Sequence, residues 1–394
     1  MSFGISRIDR VGVVVALIAA YGLFAPFALA RANRIVQGEP RSLIAALPPL
    51  LGAVLVTMVV LGIVIALLRL PMMARLATSL AILVSLAVMI GSAAAFLTPE
   101  GNTYSRVSPA SGFWLLGAAF ALLATDALAR MRPGPWLRIV FLILTAACIA
   151  LVLTSGLWSG LSIMKEYGSR AEAFWAEAGR HVTLALGSLF AAVLAGIPLG
   201  ILCHRVAALR SAVLNILNIV QTIPSIALFG ILIGPLSWIA ATVPGAAEIG
   251  IRGIGTAPAF VALFLYSLLP MVANTVGGLA GVPQDANDAA RGVGMTDGQR
   301  LVQVELPLAF PVILTGIRIV LVQNIGLATI AALIGGGGFG VFVFQGLGQT
   351  AMDLVLLGAV PTVALAFAAA VVLDAIVEMT APAGASGRRK EATA

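Results

Sequence analysis

The sequence predicts an all-α polytopic membrane protein, and three observations support this. Hydrophobic residues make up 60% of the 394 positions and charged residues only 10%, a balance that soluble domains of this length do not show. Apolar runs of roughly 20 residues, the length needed to cross about 30 Å of hydrocarbon, recur along the chain. The polar stretches between these runs are too short to form a separate soluble domain.

About ten transmembrane helices are expected. The candidate spans are residues 11–30, 43–68, 76–97, 112–128, 137–157, 182–203, 213–236, 259–279, 309–334 and 354–377. The first run follows two arginines and so resembles a secretory signal peptide. Its apolar core is longer than the roughly 7 to 15 residues of such a signal, so we predict a span there.

The basic residues predict that both ends of the chain lie in the cytoplasm. They occur in every second loop, as the positive-inside rule requires: Arg7, Arg10, Arg69, Arg75, Arg130, Arg132, Arg138, Arg205, Arg210, Arg291, Arg300, Arg388, Arg389 and Lys390. The exception is segment 31–41, where Arg31, Arg34 and Arg41 fall in a loop predicted outside. The net charge of +7 therefore reflects membrane orientation rather than nucleic-acid binding.

The chain divides into two halves around a charged stretch near residues 159–180. We expect an accessory region of about five spans over 1–160, an interfacial linker over 161–180, a core over 181–380 and a cytoplasmic tail over 381–394. Within the linker, residues 171–178 are predicted to form a short amphipathic helix at the membrane interface. The spans of the first half are almost free of charge, so nothing in them marks a conduction path.

Polar and helix-breaking residues within spans point to function in the second half. Amides and prolines are costly in hydrocarbon, so they occur where they face protein or a water-filled path. The candidate pathway or gate residues are Asn215, Gln221, Thr222, Pro224, Ser225, Gln323 and Asn324. Pro224 must break one backbone hydrogen bond, and a purely structural kink and a gate both remain open.

Intrinsic catalysis is not expected. His181 and His204 lie near opposite ends of one span, and no cluster has metal-ligand spacing, so we predict no metal and no cofactor. Residues 335–340 contain G-x-G-x-x-G, but an apolar span rather than a strand precedes them, and nucleotide binding is improbable. A re-entrant turn at the outer mouth of the core fits this run better.

The loop 281–307 is predicted to form two short helices at the membrane surface. Gln284 opens the first, and Gly292 and Gly294 end it. Thr296 and Gln299 have the spacing of a capping box, which starts a second helix that runs to about residue 306 and ends at Pro307. The small residues of the first helix leave a smooth face that fits a groove on a soluble partner.

This loop resembles the coupling loop of permease subunits of binding-protein-dependent ABC importers. The matching residues, in register, are Asp288, Ala289, Ala290, Gly294, Val304, Leu306 and Pro307. The resemblance implies a five-helix type I permease core in the bacterial inner membrane. It also implies three partners: a cytoplasmic ABC ATPase dimer, a periplasmic solute-binding protein, and a second permease copy or a shorter permease. ATP would be used by the ATPase alone.

Two shorter motifs, residues 221–225 and 333–340, resemble the osmoprotectant permeases for glycine betaine, choline and carnitine. The extra N-terminal spans resemble a longer variant of such permeases. Another small solute, such as an amino acid, is the alternative within this class. An ion-coupled secondary transporter also fits ten spans, but we find no convincing charged residue in mid-membrane to couple an ion. A scaffold without transport activity is a further alternative.

Overall fold

The structure is a computed structural model that describes residues 9–33, 36–99, 101–102 and 104–380. The expectations for Arg7, Arg34 and the tail 381–394 concern residues outside this described part. By backbone contacts the chain separates into two compact units, and the division falls between Ser169 and Arg170.

The all-α polytopic fold is confirmed. Within the described residues, nine helices are long and apolar enough to cross a membrane. They are Pro49–Leu67, Met72–Leu97, Ser111–Met131, Pro135–Thr154, Ala171–Arg205, Ser225–Thr242, Thr256–Ala280, Asp297–Ala328 and Met352–Thr380. A shorter apolar helix of 15 residues, Arg10–Phe24, stands where the first span was predicted.

The N-terminal unit contains seven helices in its described residues. They are α1 (Arg10–Phe24), α2 (Leu43–Ala46), α3 (Pro49–Leu67), α4 (Met72–Leu97), α5 (Ser111–Met131), α6 (Pro135–Thr154) and α7 (Ser162–Ser169). Its core lies between α1, α3, α4 and α5, where Leu55, Ile90, Leu116 and Phe120 are fully buried. By contrast, no residue of α6 is buried.

A small antiparallel sheet in this unit was not predicted. Strands β1 (Ala28–Arg31), β2 (Glu39–Arg41) and β3 (Arg106–Pro109) pair in the order β2-β1-β3. The predicted end of the first span at residue 30 is therefore wrong. Pro26 has no N–H to continue a helix, and the apolar residues after it pair as a strand instead. Pro48 and Pro49 likewise separate α2 from α3, so the second span starts later than predicted.

The second unit is a helical bundle arranged around a central helix, α11. Its elements are α8 (Ala171–Arg205), α9 (Ala207–Thr222), α10 (Ser225–Thr242), α11 (Thr256–Ala280), α12 (Gln284–Gly292), α13 (Asp297–Arg300), a π-helical turn (Leu301–Glu305), α14 (Leu306–Ala328), a 3₁₀ turn (Ile330–Ile334), α15 (Gly340–Gly348) and α16 (Met352–Thr380). Helix α11 packs against α8, α9, α10 and α14.

Two sequence expectations for this unit differ from the structure. Residues 171–178 do not form a separate short helix, because they are the first turns of the 35-residue α8. Alanine and glutamate make up most of these residues, and the single Gly179 that follows does not end the helix. The predicted span 213–236 is two helices, α9 and α10, separated at Ile223 and Pro224.

Candidate functional site

The first candidate site is residues 284–307, here named the coupling segment. Its first helix, α12, ends in the way that the sequence predicts. Gly294 has φ +86°, a conformation that glycine adopts without steric cost. Its N–H donates to the Arg291 carbonyl at 2.9 Å, and the Met295 N–H donates to the Ala290 carbonyl at 3.1 Å. This pair of bonds is a Schellman motif, which turns the chain sharply after α12.

Helix α12 presents only part of the predicted motif to solvent. The Asp288 side chain is 71% exposed, with its carboxylate 3.8 Å from the Arg291 guanidinium, and Ala289 is exposed beside it. Ala290 is buried against the bundle. Val293, just after the helix, is 77% exposed. The surface available to a partner therefore combines Asp288, Ala289 and Val293.

The second helix of the coupling segment begins as predicted but does not end at Pro307. The capping box is present: the Gln299 N–H donates to Thr296 Oγ1 at 3.3 Å, and the Thr296 N–H donates to Gln299 Oε1 at 2.9 Å. From Asp297 the helix runs unbroken to Ala328. A π-helical turn, in which the Leu306 N–H bonds to the Leu301 carbonyl, shifts the hydrogen-bond register.

This shift explains why the prediction for Pro307 is wrong. After the π turn, Pro307 lies in the first turn of α14, where its missing N–H costs little. Val304 and Leu306 are half-buried beside it. The coupling segment is thus joined directly to a membrane-spanning helix rather than separated from it by a break.

Glu305 is a residue that the sequence analysis missed. It is 3% exposed and lies at the end of the π turn. Its Oε2 accepts from the Arg205 guanidinium at 2.7 Å and its Oε1 accepts from Arg300 Nε at 3.0 Å. Arg300 in turn contacts Asp297 at 2.8 Å. This network, the Glu305 cluster, fastens the coupling segment to the last turn of α8, and its pairs are 100 and 5 residues apart in sequence.

The second candidate site is the break between α9 and α10. Pro224 has no N–H, and Ile223 has extended backbone angles, so the helical hydrogen-bond pattern is interrupted here. The Tyr266 hydroxyl of α11 donates to the Ile223 carbonyl. Thr222 Oγ1 also donates to a carbonyl, that of Ile219, at 2.7 Å. The broken backbone is therefore capped by side chains, as hydrocarbon surroundings require.

The backbone carbonyl of Tyr266 also lacks its helical hydrogen-bond donor. Pro270, four residues later in α11, cannot donate to the Tyr266 carbonyl. Gln221 Nε2 donates to that carbonyl at 2.8 Å, and Gln323 Nε2 of α14 approaches it at 3.5 Å. Two predicted pathway residues, Gln221 and Gln323, thus converge on one proline-freed carbonyl.

The other predicted pathway residues do not all converge. Asn324 is fully buried, and its amide bonds to Ser188 Oγ and Ser267 Oγ, each at 2.9 Å. It joins α8, α11 and α14 inside the bundle. Asn215, Thr222 and Pro224 are exposed, and Ser225 is partly exposed, along α9 and the start of α10. Asn215, Thr222 and Ser225 are polar residues of this exposed stretch, here named the polar edge. The stretch also exposes Ile216, Ile219 and Ile226, whereas Asn324 is buried within the bundle.

The glycine-rich turn is present at residues 335–339 and is tied to α8. Gly335, Gly337 and Gly338 all have positive φ. The Gly338 N–H donates to Glu177 Oε2 at 2.6 Å, and the Phe339 N–H donates to His181 Nδ1 at 3.3 Å. The turn therefore presents backbone N–H groups to side chains of its own bundle.

A charged pair also lies within the helices of the core. Arg318 of α14 contacts Asp374 of α16 at 2.7 Å, and the side chains are 39% and 41% exposed. Both positions fall inside spans that we predicted, so the statement that no charged residue stands in mid-membrane is wrong. Its use as an argument against ion coupling fails with it.

The N-terminal unit carries a charge cluster of its own, here named the Asp9 cluster. Asp9 caps α1 by accepting the Gly12 N–H at 2.9 Å, and it contacts Arg75 at 3.3 Å and Arg130 at 2.8 Å. Asp126 contacts Arg130 at 2.9 Å and Arg75 at 3.4 Å. Burial acts to raise the pKa of Asp9, but the Gly12 N–H and the two guanidinium groups outweigh it and hold that pKa at about 2.

Two family models match the chain, one over each half. Residues 9–164 match the N-terminal domain of the ABC transporter permease YehY. Residues 192–383 match the binding-protein-dependent transport system inner membrane component.

Named relatives each match about half of this chain. The choline transport system permease protein OpuBB of Bacillus subtilis is 38% identical over 204 residues, which cover 52% of this chain and 87% of that protein. The osmoprotectant import permease protein OsmW of Salmonella typhimurium is 42% identical over 195 residues, covering 50% of this chain and 84% of that protein. A solved structure of the inward-facing MetNI methionine ABC transporter covers 54% of this chain and 99% of its own, with a TM-score of 0.48 and 23% identity.

Three observations agree on the family of this chain. Its capped surface loop has the register of a coupling loop, its apolar helices form a bundle, and its relatives are matched over most of their length. This chain belongs to the family of inner-membrane permease components of binding-protein-dependent transport systems.

Proposed function

We propose that the chain is the permease subunit of an ATP-driven importer for a quaternary-ammonium osmoprotectant such as glycine betaine. Support comes from the names of its relatives, which include permeases for choline, for glycine betaine, carnitine and choline, and for osmoprotectants. Another small solute, such as an amino acid, is the alternative. In this proposal the core is residues 181–380, and residues 1–160 form an accessory membrane region.

The coupling segment is the observation that carries the proposal. Its exposed surface of Asp288, Ala289 and Val293 stands on a Schellman-capped helix, and the segment continues without a break into α14. A cytoplasmic ATPase dimer that pushes on this surface would therefore move a membrane-spanning helix directly. ATP is bound and hydrolysed on that partner, and the permease itself needs no cofactor.

The proposed solute route follows the polar edge at the α9–α10 break. Asn215, Thr222 and Ser225 line it, and Gln221 with Gln323 hold the Tyr266 carbonyl behind it. Pro224 lets α9 and α10 change their relative angle, because side chains already satisfy the backbone at the break. Asn324 acts from within the bundle, where it keeps α8, α11 and α14 together as the break opens and closes.

The assembly implied is two permease subunits, either two copies of this chain or one copy with a shorter permease, with two ATPases and a periplasmic binding protein. Binding of ATP would favour one of two orientations of the bundle, and solute-loaded binding protein would favour the same one. The result is alternating access driven by differential contacts.

Reconstituted uptake tests the proposal. The permease is placed in liposomes with its ATPase inside and its solute-binding protein outside, and labelled glycine betaine is followed with and without ATP. Uptake that requires ATP and the binding protein supports the proposal. Uptake driven by an ion gradient without the ATPase would establish a secondary transporter instead. Failure of betaine with success of an amino acid would favour the alternative solute.

A further inference from the structure

The ion pair between α14 and α16 joins two membrane-spanning helices away from their shared turns and loops. Arg318 stands near the middle of α14, and Asp374 stands in the last third of α16. Their charged atoms are 2.7 Å apart, yet about two fifths of each side chain remains exposed. The Glu305 cluster, by comparison, is centred on a carboxylate that is almost fully buried.

Exposed apolar side chains stand on the same two helices. Ile319 on α14 is 44% exposed, and Val363 and Phe367 on α16 are 67% and 62% exposed. Charged side chains within membrane spans face the bundle interior, a partner or water, because lipid tails solvate them poorly. A half-exposed ion pair at this position therefore indicates that the α14–α16 surface meets an aqueous route, a polar solute or another subunit.

The chemistry of the pair suits one class of solute. A trimethylammonium group has no N–H to donate, so it is recognised by negative charge and by aromatic faces. Asp374 supplies the negative charge. A carboxylate is matched by the fork of a guanidinium group, which Arg318 supplies.

We propose that Arg318 and Asp374 form a contact site for a zwitterionic quaternary-ammonium solute, with its carboxylate on Arg318 and its trimethylammonium group beside Asp374. This inference rests on the proposed function and names the residues that bind the two charged groups of the solute. A zwitterion can enter between the two side chains without leaving either of them unpaired. A cation without a carboxylate would leave Arg318 without a partner in a medium of low dielectric, which is unfavourable.

Uptake of two solutes by the reconstituted complex tests the site. Glycine betaine carries both charges, whereas choline carries only the trimethylammonium group. The same binding protein is used with the wild type and the variants. Its own preference between the two solutes therefore cancels when the uptake by a variant is divided by the uptake by the wild type. Arg318→Gln is expected to lower betaine uptake about tenfold or more and choline uptake much less, whereas Asp374→Asn lowers both. Glu378→Gln, which removes a carboxylate one turn further along α16, is the matched control and leaves both unchanged.

A double charge swap, Arg318→Asp with Asp374→Arg, separates recognition from packing. It restores an ion pair between α14 and α16 but exchanges the positions of the positive and the negative charge. We expect the swap to recover the thermal stability that each single variant loses, without recovering betaine uptake. If the wild type transports glycine betaine but not choline, the comparison of the swap with the single variants tests the proposed site.

Two outcomes overturn the inference while the proposed function stands. One is an equal loss of betaine and choline uptake in Arg318→Gln, and the other is full betaine uptake by the swap. Either result would show that the pair only holds α14 against α16. A wild-type complex that transports no quaternary-ammonium solute would instead overturn the proposed function, and this inference with it.

Discussion

The Asp9 cluster of the N-terminal unit and the Glu305 cluster of the core use the same chemistry in different settings. Each joins two carboxylates to two guanidinium groups beside the end of a membrane helix. In the Asp9 cluster the central Arg75 is fully buried, and its partners come from α1 and α5 of the packed bundle. The cluster therefore closes one end of that bundle.

In the Glu305 cluster the buried carboxylate joins α8 to the coupling segment, which ends in an exposed partner surface. The comparison shows that a buried ion network can serve either closure of a bundle or attachment of a moving segment. Its position, rather than its composition, separates the two roles. Variants of each cluster can test that distinction.

The largest effect is expected for Glu305→Gln. This change keeps the size of the side chain but leaves Arg205 and Arg300 without their shared counter-charge, and breaking a buried pair costs about 3–5 kcal/mol. We expect reduced thermal stability of the purified permease and a larger loss of coupled uptake. ATP hydrolysis should fall less than uptake, because the exposed docking surface remains.

Asp297→Asn is the matched control for this variant. Asp297 belongs to the same cluster, but its side chain is 84% exposed, so its loss should cost no more than about 1 kcal/mol. Uptake and hydrolysis that fell in equal proportion in Glu305→Gln would argue that the cluster only stabilises the fold.

A smaller effect, confined to acid pH, is expected for the Asp9 cluster. The pKa of Asp9 lies at about 2, below its ordinary value of 3.8. A carboxyl whose pKa is depressed in the folded state stabilises the fold above its unfolded pKa. That stabilisation, about 2 kcal/mol, is lost as the pH falls from about 4 towards 2.

Thermal unfolding measured from about pH 5 to about pH 2 covers the titration of Asp9 and measures this effect. Asp9→Asn should be less stable than wild type at neutral pH and should lose most of the acid dependence that Asp9 contributes. Coupled uptake at neutral pH should be affected less than in Glu305→Gln. If Asp9→Asn instead uncoupled hydrolysis from uptake, the assignment of this cluster to closure would be wrong.

The smallest change in stability is expected at Gly294. Its positive φ strains any residue with a Cβ, at a cost of about 1 kcal/mol, although no heavy atom lies within 4 Å of an added Cβ. Gly294→Asn should be milder than Gly294→Ala, because asparagine tolerates this conformation. Co-purification of the ATPase is the measurement. Retention of the ATPase by both variants, with normal uptake, would show that the turn at Gly294 does not position the docking surface.

Local signals in the sequence were sufficient for several features of the site. The capping box of Thr296 and Gln299 and the stop at Gly294 depend on neighbours within a few residues, so spacing alone predicts them. Pro307 was misjudged because a π turn beside it changes which hydrogen bonds are needed. The first span was extended too far because hydropathy does not distinguish a helix end from an apolar strand after Pro26.

The contacts that build the site depend on distant residues and could not be predicted in this way. Arg205 meets Glu305 across 100 residues, and Arg318 meets Asp374 across 56. Asn324 looked like a pathway residue because it is an amide within a span. Only the packing of α8 against α11 and α14 shows that its partners are Ser188 and Ser267.

By itself the sequence determined that this is a polytopic membrane protein, where its apolar helices lie, and that one loop has the capped form of a coupling segment. These follow from composition, hydropathy and short-range hydrogen bonding. Tertiary structure decided which polar groups are exposed, which are tied together, and how the coupling segment is fastened to α8 and α14. The physical reason is that burial and ion pairing depend on which helices pack together. The local sequence pattern of each helix does not determine its packing partners.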